Sequence, residues 1–406
     1  MHIAVIPSWY PTDTTPLAGV FIREQAQAIA QLSPTTQVSV STWGHNECGL
    51  SACSFTQSYV SLQSFLRNRR RPRCRLVKGV REYLAPTLTW PRCLPGGGLR
   101  PIVESNLANL RLAQEQLGPV DLIHAHVCYP AGYIARVLAP QLGVPYIITE
   151  HMSPFPFPSL LSCGRLLPDV AGAIHEAAAV VAVSPSLADA IASYGFERPA
   201  VIPNLVDERR FEPAPATRTG TVFFTLCGMA AQKGVDHLLR AIAQWDPPAG
   251  DAEFWIAGDG PQRATYMELA KRLEIDDRIV WLGPVSREDA PRFFRECNAF
   301  VLPSRHETFG IVFAEALACG KPVLATRCGG PECIINEVNG RLVEVGDIPG
   351  LARELRAMAK AHATYSSSAI RSDFMARFSR HAVVPQILAL YEKVLANSST
   401  SRAHRP

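Results

Sequence analysis

The sequence predicts an α/β protein made of two doubly wound parallel-sheet domains, and three observations carry that reading. Short apolar runs alternate with helical segments along nearly the whole chain, a pattern that yields parallel sheets with helices on both faces. The runs fall into two sets, divided by a polar Pro/Arg/Thr stretch from Glu212 to Thr221. The 406 residues also exceed what one compact core ordinarily organises.

The first set begins at once. Met1-His2-Ile3-Ala4-Val5-Ile6 lacks the basic start and cleavage site of a secretory signal and reads as a first strand. Further runs are Val38–Ser41, Leu122–His124, Tyr146–Thr149, Val180–Val183 and Ala200–Pro203. The second set comprises Val222–Leu226, Phe254–Ala257, Ile279–Leu282, Phe300–Pro303, Pro322–Ala325 and Arg341–Val345. The expected domains are 1–205 and 206–375. Phe378, Val383, Ile387, Leu390, Tyr391 and Leu395 then recur as one final helix, expected over 376–395 and packing back toward the first domain, ahead of a disordered tail over 396–406. In open parallel sheets ligands bind beyond the carboxyl ends of the strands, so two facing domains offer an interdomain cleft.

Residues 44–99 break the alternation. This Ser-, Arg-, Cys- and Pro-rich segment has poor periodicity and reads as an irregular insert. It carries Arg67, Arg69, Arg70, Arg71, Arg73, Arg75 and Lys78, either a solvated loop or a cluster that sits against anionic lipid, where each basic residue contributes about 1 kcal/mol.

Composition excludes several classes. A hydrophobic content of 47% with 19% charged residues is that of an ordinary globular protein, and a net charge of +4 is too small to imply a nucleic-acid partner. No stretch approaches the roughly 20 apolar residues of a membrane span. Eleven scattered cysteines without a CxxC pair point to reduced thiols and a cytoplasmic setting. The pair His124 and His126 has no third ligand at a recognisable spacing, so no metal is expected.

Chemistry concentrates around Glu307 and Glu315. They lie in Pro303-Ser304-Arg305-His306-Glu307-Thr308-Phe309-Gly310 and Ala314-Glu315-Ala316-Leu317, behind the apolar strand Ala299-Phe300-Val301-Leu302. Phe309, Val312, Phe313, Ala316 and Leu317 mark a helical apolar stripe, and Gly320 with Pro322 marks its stop. Both glutamates point away from that stripe, toward a cleft or solvent, and eight residues of helix rise span roughly 12 Å. Two carboxylates so placed accept hydrogen bonds from sugar hydroxyls, with a helix N-terminus between them facing a diphosphate.

This arrangement resembles the Glu-x7-Glu signature of retaining glycosyltransferases of the GT-B fold, in particular family 4. The resemblance covers most of the second half: Ile256-Ala257-Gly258-Asp259-Gly260-Pro261, Gly283, Pro303-Ser304, the two glutamates, Gly329-Gly330-Pro331-Glu332 and Asn339-Gly340 follow in the family's order. Val201-Ile202-Pro203-Asn204-Leu205-Val206-Asp207, with Phe211 and Pro213, resembles the family's passage into its second domain. It implies that Glu315 holds the ribose of the nucleotide, Glu307 contacts the donor sugar, and Lys233 binds the donor phosphates. It also implies that Gly258 and Gly260 admit the nucleotide closely, and that the backbone near Phe309, Gly310 and Ile311 meets the sugar or diphosphate.

In the first half, Gly19, in Gly19-Val20-Phe21-Ile22-Arg23-Glu24-Gln25, resembles the family's diphosphate-facing helix start. His151, in Thr149-Glu150-His151, resembles its sugar-contacting strand-end histidine, with His126 a weaker candidate for the acceptor. Ser184-Pro185-Ser186 reads as a helix N-cap. The chain departs from the family in one place. Met229 stands where an arginine is usual and the loop to Lys233 is one residue shorter, which removes a bidentate phosphate contact unless Arg305 or Arg327 replaces it.

The expected activity is retaining, metal-independent transfer of a hexose from a nucleotide-sugar, UDP-linked first and GDP-linked second, to a glycan or lipid-linked acceptor of envelope or exopolysaccharide assembly. The expected location is cytoplasmic or peripheral on the inner face of the plasma membrane. No cofactor beyond the co-substrate donor is expected. A nucleotide-sugar epimerase on the same fold, or a non-catalytic GT-B subunit, are the alternatives, because fold does not fix chemistry.

Overall fold

The structure, a computed structural model, describes residues 1–45, 55–69, 73–89, 98–214, 220–248 and 250–403. The chain divides into two compact units. One comprises Met1–Val183, Ala188–Leu205 and Val384–Pro406; the other comprises Ser184–Leu187 and Val206–Val383.

In the first unit the strands are β1 (His2–Pro7), β2 (Gln37–Thr42), β3 (Cys74–Val77), β4 (Val80–Leu84), β5 (Leu122–His126) and β6 (Tyr146–Glu150). A two-residue hairpin, β7 (Leu161–Ser162) and β8 (Arg165–Leu166), stands apart; β9 (Ala179–Ala182) and β10 (Ala200–Val201) complete the set. The eight-stranded sheet has the order β10-β9-β6-β5-β1-β2-β4-β3, all parallel except the β3–β4 hairpin. Its central strand β1 is buried over its whole length, as a strand covered on both faces must be. Helices α1 (Val20–Leu32), α2 (Phe55–Arg69), α3 (Arg100–Leu117), α4 (Tyr133–Leu142), α5 (Pro168–His175) and α6 (Pro185–Ala192) follow in chain order. Strand order reverses between β1 and β5, where Pro7 pairs with His126, and such a switch point is where open sheets form a crevice.

The second unit carries β11 (Thr221–Leu226), β12 (Ala252–Ala257), β13 (Ile279–Gly283), β14 (Ala299–Leu302), β15 (Val323–Arg327) and β16 (Gly340–Glu344), in the order β13-β12-β11-β14-β15-β16 and all parallel. Its helices are α7 (Val235–Trp245), α8 (Arg263–Arg272), α9 (Ala290–Glu296), α10 (Ile311–Ala318), α11 (Ile348–Ala361) and α12 (Ser367–Arg377); α13 (Arg380–Ala403) then returns the chain to the first unit. Phenylalanines fill the core: Phe223 stacks on Phe254 at 5.2 Å, and Phe294 meets Phe224 edge-on at 5.1 Å. Such pairs contribute about 0.5–1.5 kcal/mol beyond buried area. Here the switch point lies between β11 and β14.

Three expectations are corrected. The insert at 44–99 is not irregular where described: α2 spans 55–69, and β4 joins the sheet beside β2, because a two-residue turn at Lys78 and Gly79, both at positive φ, folds β3 back onto it. Arg70 and Arg71 of its basic cluster lie outside the described residues. The tail expected from 396 is helical through Ala403, since no Gly or Pro interrupts it. Finally, the Glu307–Glu315 segment is not one helix, as the site geometry explains.

Candidate functional site

At the β11/β14 switch point, the loops leaving both strands are pressed together by a glycine. Gly234 has φ 65°, and a Cβ there would stand 1.9 Å from the Pro303 carbonyl oxygen. This contact brings Lys233, in a 3-10 turn before α7, to Glu307: Nζ donates to Oε1 at 2.7 Å, and the Ser304 hydroxyl donates to the same oxygen at 2.9 Å. The backbone of Glu307 is fixed as well. Its N–H donates to Cys328 at 3.3 Å, and its carbonyl accepts from Gly330 at 2.7 Å, forming a bridge with Gly329. A buried carboxylate is tolerated because a cation and a hydroxyl meet it.

Helix α10 begins only at Ile311, behind Gly310 at φ 84° with no side-chain cap. Glu307 therefore precedes the helix and Glu315 lies on it, so the helix-rise estimate of their separation does not hold. Neither glutamate is solvent-facing. α10 is buried around nearly its whole circumference, and Glu315 is 1% exposed. Its charge is met by Arg287, whose Nη1 donates to Oε1. Arg287 lies 5.0 Å over the Phe211 ring, and its carbonyl accepts from Arg210 at 2.8 Å. Sequence reasoning missed Arg287, which sits 28 residues away in no recognisable motif. Phe309 is buried with its ring edge-on to Phe378 at 5.8 Å.

The glycine turn after β12 packs on the loop after β11. Gly258 has φ 122°, and a Cβ there would stand 1.8 Å from the Cys227 carbonyl oxygen; Gly260 backs onto the Met229 backbone. Met229 is fully buried, its N–H donating to the Asp259 carbonyl at 2.8 Å and its carbonyl accepting from Gln262 at 2.9 Å. A core-filling thioether thus occupies the departure from the family. Arg305 is tied to Asp236 at 2.6 Å and Arg327 to Glu344 at 3.3 Å, so both suggested substitute guanidinium groups are engaged. Burial opposes the charge of Asp236, but Arg305 outweighs it and lowers the carboxyl pKa.

In the first unit, the ends of β5 and β6 carry a histidine cluster. His126 Nδ1 hydrogen-bonds His151 Nε2 at 3.0 Å, and the rings stack at 5.2 Å. His124 stacks on His126 at 4.3 Å and bonds Tyr391 Oη at 2.7 Å and Thr149 Oγ1 at 2.8 Å. Burial drives the pKa of all three down, His124 and His151 to about 3, so these rings are neutral donors and acceptors near pH 7. His151 Nδ1 is buried with no hydrogen bond, and Phe21 lies 4.8 Å from the ring. Glu150 braces the strand end, accepting from the N–H groups of Cys128 (2.8 Å), His151 (2.7 Å) and Met152 (2.8 Å); burial still raises its pKa. Gly19 caps α1 at φ 63°, where a Cβ would stand 2.1 Å from the Trp9 carbonyl oxygen. Ser184 caps α6 as expected, accepting from Leu187 N–H at 3.3 Å. Among the described residues no cluster of three or more His, Cys, Asp or Glu side chains forms a metal site.

Comparison with known proteins follows the same division. A family model described as Glycosyltransferase Family 4 matches residues 66–210, and one described as Glycosyl transferases group 1 matches residues 220–361. The chain is 26% identical over 324 residues to the N-acetyl-alpha-D-glucosaminyl L-malate synthase of Bacillus anthracis, covering 74% of this chain and 82% of that protein. It is 29% identical over 244 residues to the lipopolysaccharide core biosynthesis glycosyltransferase LpsD of Rhizobium meliloti, covering 56% and 68%. Among solved structures, Anabaena HepE in complex with UDP superposes with a TM-score of 0.69 at 20% identity, covering 97% of this chain and all of that one. The fold is GT-B, and the chain belongs to the group 1, family 4 glycosyltransferases.

Proposed function

We propose that the chain moves a hexose from a nucleotide-sugar to a glycan or lipid-linked acceptor in cell-envelope or exopolysaccharide assembly, with retention of anomeric configuration and without a metal. The Lys233–Glu307 pair at the β11/β14 switch point carries the reading. An ammonium and a carboxylate, locked together beside the uncapped start of α10, supply both halves of what a sugar diphosphate needs: Lys233 and the N-terminal end of the helix meet phosphate, and Glu307 accepts from sugar hydroxyls. In the reaction the sugar C1–oxygen bond breaks and its electron pair stays on the phosphate. The acceptor oxygen bonds to C1 on the same face, and its proton passes to that phosphate oxygen. Lys233 stabilises the charge as it grows. Glu315, held by Arg287, is assigned to the ribose. His151 and Gly19, in the first unit, keep the roles of sugar contact and diphosphate-facing backbone that the family resemblance implies.

UDP is the favoured nucleotide and GDP the second; the UDP bound by HepE supports this choice, and the lipopolysaccharide role in the name of LpsD supports the envelope setting. Melting temperature measured against UDP, GDP, ADP and their sugars tests it. A ligand at 100 times its Kd adds about 2.7 kcal/mol, so one base raises the midpoint and Glu315→Ala abolishes the shift. Indifference to every nucleotide overturns the donor assignment.

The acceptor reading brings a membrane surface with it. No described helix is long and apolar enough to cross a bilayer, but α2 is inside out. At 100° per residue, Ser61 and Asn68 share its buried side, while Tyr59, Leu62 and Leu66 share the opposite face and are 42–54% exposed. Arg67 and Arg69 flank that face, and Leu76 of the neighbouring hairpin is 69% exposed. An apolar helix face rimmed by arginines suits an anionic bilayer interface on the cytoplasmic side. Vesicle flotation tests this.

A further inference from the structure

A cavity of about 290 Å³ lies in the first unit, where the ends of β1, β2 and β4 meet α2, and neither His126 nor His151 lines it. Buried polar groups form much of its wall. Glu82, 4% exposed, accepts from the Tyr10 hydroxyl at 2.6 Å, from Arg23 at 2.7 and 3.0 Å, and from Arg75 at 2.6 Å. That ring of donors holds Tyr10 and Arg75 in place at the cavity. An aromatic wall stands beside them: the His45 ring stacks on Trp43 at 4.3 Å and lies 6.3 Å from the ring of Tyr10.

Two further polar groups face this space. Asn68 is 6% exposed on the inner side of α2 and lines the cavity. Its carboxamide offers a ligand in the cavity both donors and an acceptor. Thr42 adds a second adaptable group: its hydroxyl donates to the Tyr83 carbonyl at 2.9 Å and retains lone pairs for a further donor.

Charge selects the ligand class. Among the described residues, Asp13 and Glu82 line the cavity with Arg75, and Arg23 lies behind Glu82. This described set is electrically balanced and gives no advantage to a phosphate. Flat aromatic faces, a carboxamide and hydroxyls around a space at the small end of ligand pockets match a ring with hydroxyls on its rim.

We propose that this cavity is a subsite for a neutral, hydroxyl-rich six-membered ring, a pyranose or cyclitol of the acceptor. The word acceptor rests on the glycosyl-transfer reading; the ring-binding site does not. Saturation-transfer NMR on the full chain, with methyl α-glucoside, N-acetylglucosamine, myo-inositol and glucose 1-phosphate as separate probes, tests it. At least one neutral ring shows transfer. Its signal falls several-fold in Asn68→Leu and in Asp13→Ala, the latter an exposed rim position chosen in case the former misfolds. Glucose 1-phosphate shows no gain over its neutral counterpart. Silence from every neutral ring, signals indifferent to both variants, or a preference for the phosphate each overturn the proposal. The nucleotide melting shift, read on the same samples, separates the two readings: ring binding without a nucleotide shift leaves this site standing and removes the donor assignment, and the reverse result removes only this site.

Discussion

Lys233 is the residue on which the mechanism turns most directly. Its ammonium already has a partner in Glu307, so in the free protein each group satisfies the other, and donor binding must share both with phosphate and sugar. Lys233→Ala therefore removes transition-state charge stabilisation and also strands a carboxylate in a largely buried position. Loss of one such stabilising donor typically costs 10²–10³ in turnover, and we expect kcat to fall by about that factor. Lys233→Arg recovers little, because a planar fork does not reproduce a compact ammonium. Steady-state kinetics with the responding nucleotide-sugar checks this; unchanged kcat in Lys233→Ala sinks the role. At this scale the sequence was readable for residues whose partners lie in the same motif, as Ser304 does beside Glu307. It was silent on Arg287, because nothing in the run Val285-Ser286-Arg287 signals that its guanidinium ends against Glu315.

Elements were legible to the degree that they were apolar and covered. β1, β5, β6, β11, β12 and β14 are buried runs, and each announces itself. The β3–β4 hairpin was not legible because it stands at the sheet edge, with Arg75 and Leu76 exposed on β3 and its buried Glu82 satisfied in part by Tyr10 and Arg23, far away in sequence. The turn at Lys78-Gly79 between alternating residues was the available signal. α2 was misread for a related reason: its apolar residues do not face a core, so they look like poor periodicity rather than an inverted helix. That inversion has a measurable consequence. Flotation with phosphatidylserine-rich vesicles should carry the wild-type chain, and the doubly substituted Leu62→Asp, Leu66→Asp chain should remain in the heavy fraction, since each lost leucine removes about 1.5–3 kcal/mol of apolar burial. Charge reversal at Arg67, Arg69 and Arg73 should weaken binding and flatten its salt dependence. Flotation unaffected by both changes refutes the docking face.

For the whole molecule, the decisive feature is that the chain end returns to the unit where it began. Tyr391 of α13 is fully buried in the first unit and hydrogen-bonds His124, which leads through stacked rings to His126 and His151. Burial holds all three histidines neutral, with folded pKa values depressed from the usual 6.5, to about 3 for His124 and His151. Between these values the unfolded chain binds protons that the folded chain refuses, so stability is complete above pH 6.5 and declines as pH falls toward 3. A shift of that size amounts to about 2 kcal/mol at pH 5 for each uncoupled histidine. The carboxylates act in a lower window: Asp207, Glu208 and Asp236 are desolvated, yet their arginine partners depress them, so their contribution is lost only as pH falls below about 4. Chemical denaturation followed from pH 7.5 to 4.5 should therefore show a decline that starts near 6.5, before the arginine-paired carboxylates titrate. In His124→Asn the decline should be shallower by about one histidine's share, even though the variant is less stable at pH 7.5 for want of its bonds to Tyr391 and Thr149. A profile flat from pH 7 to 5, or one equally steep in the variant, rejects the view that burial of this cluster sets the acid limit of the fold.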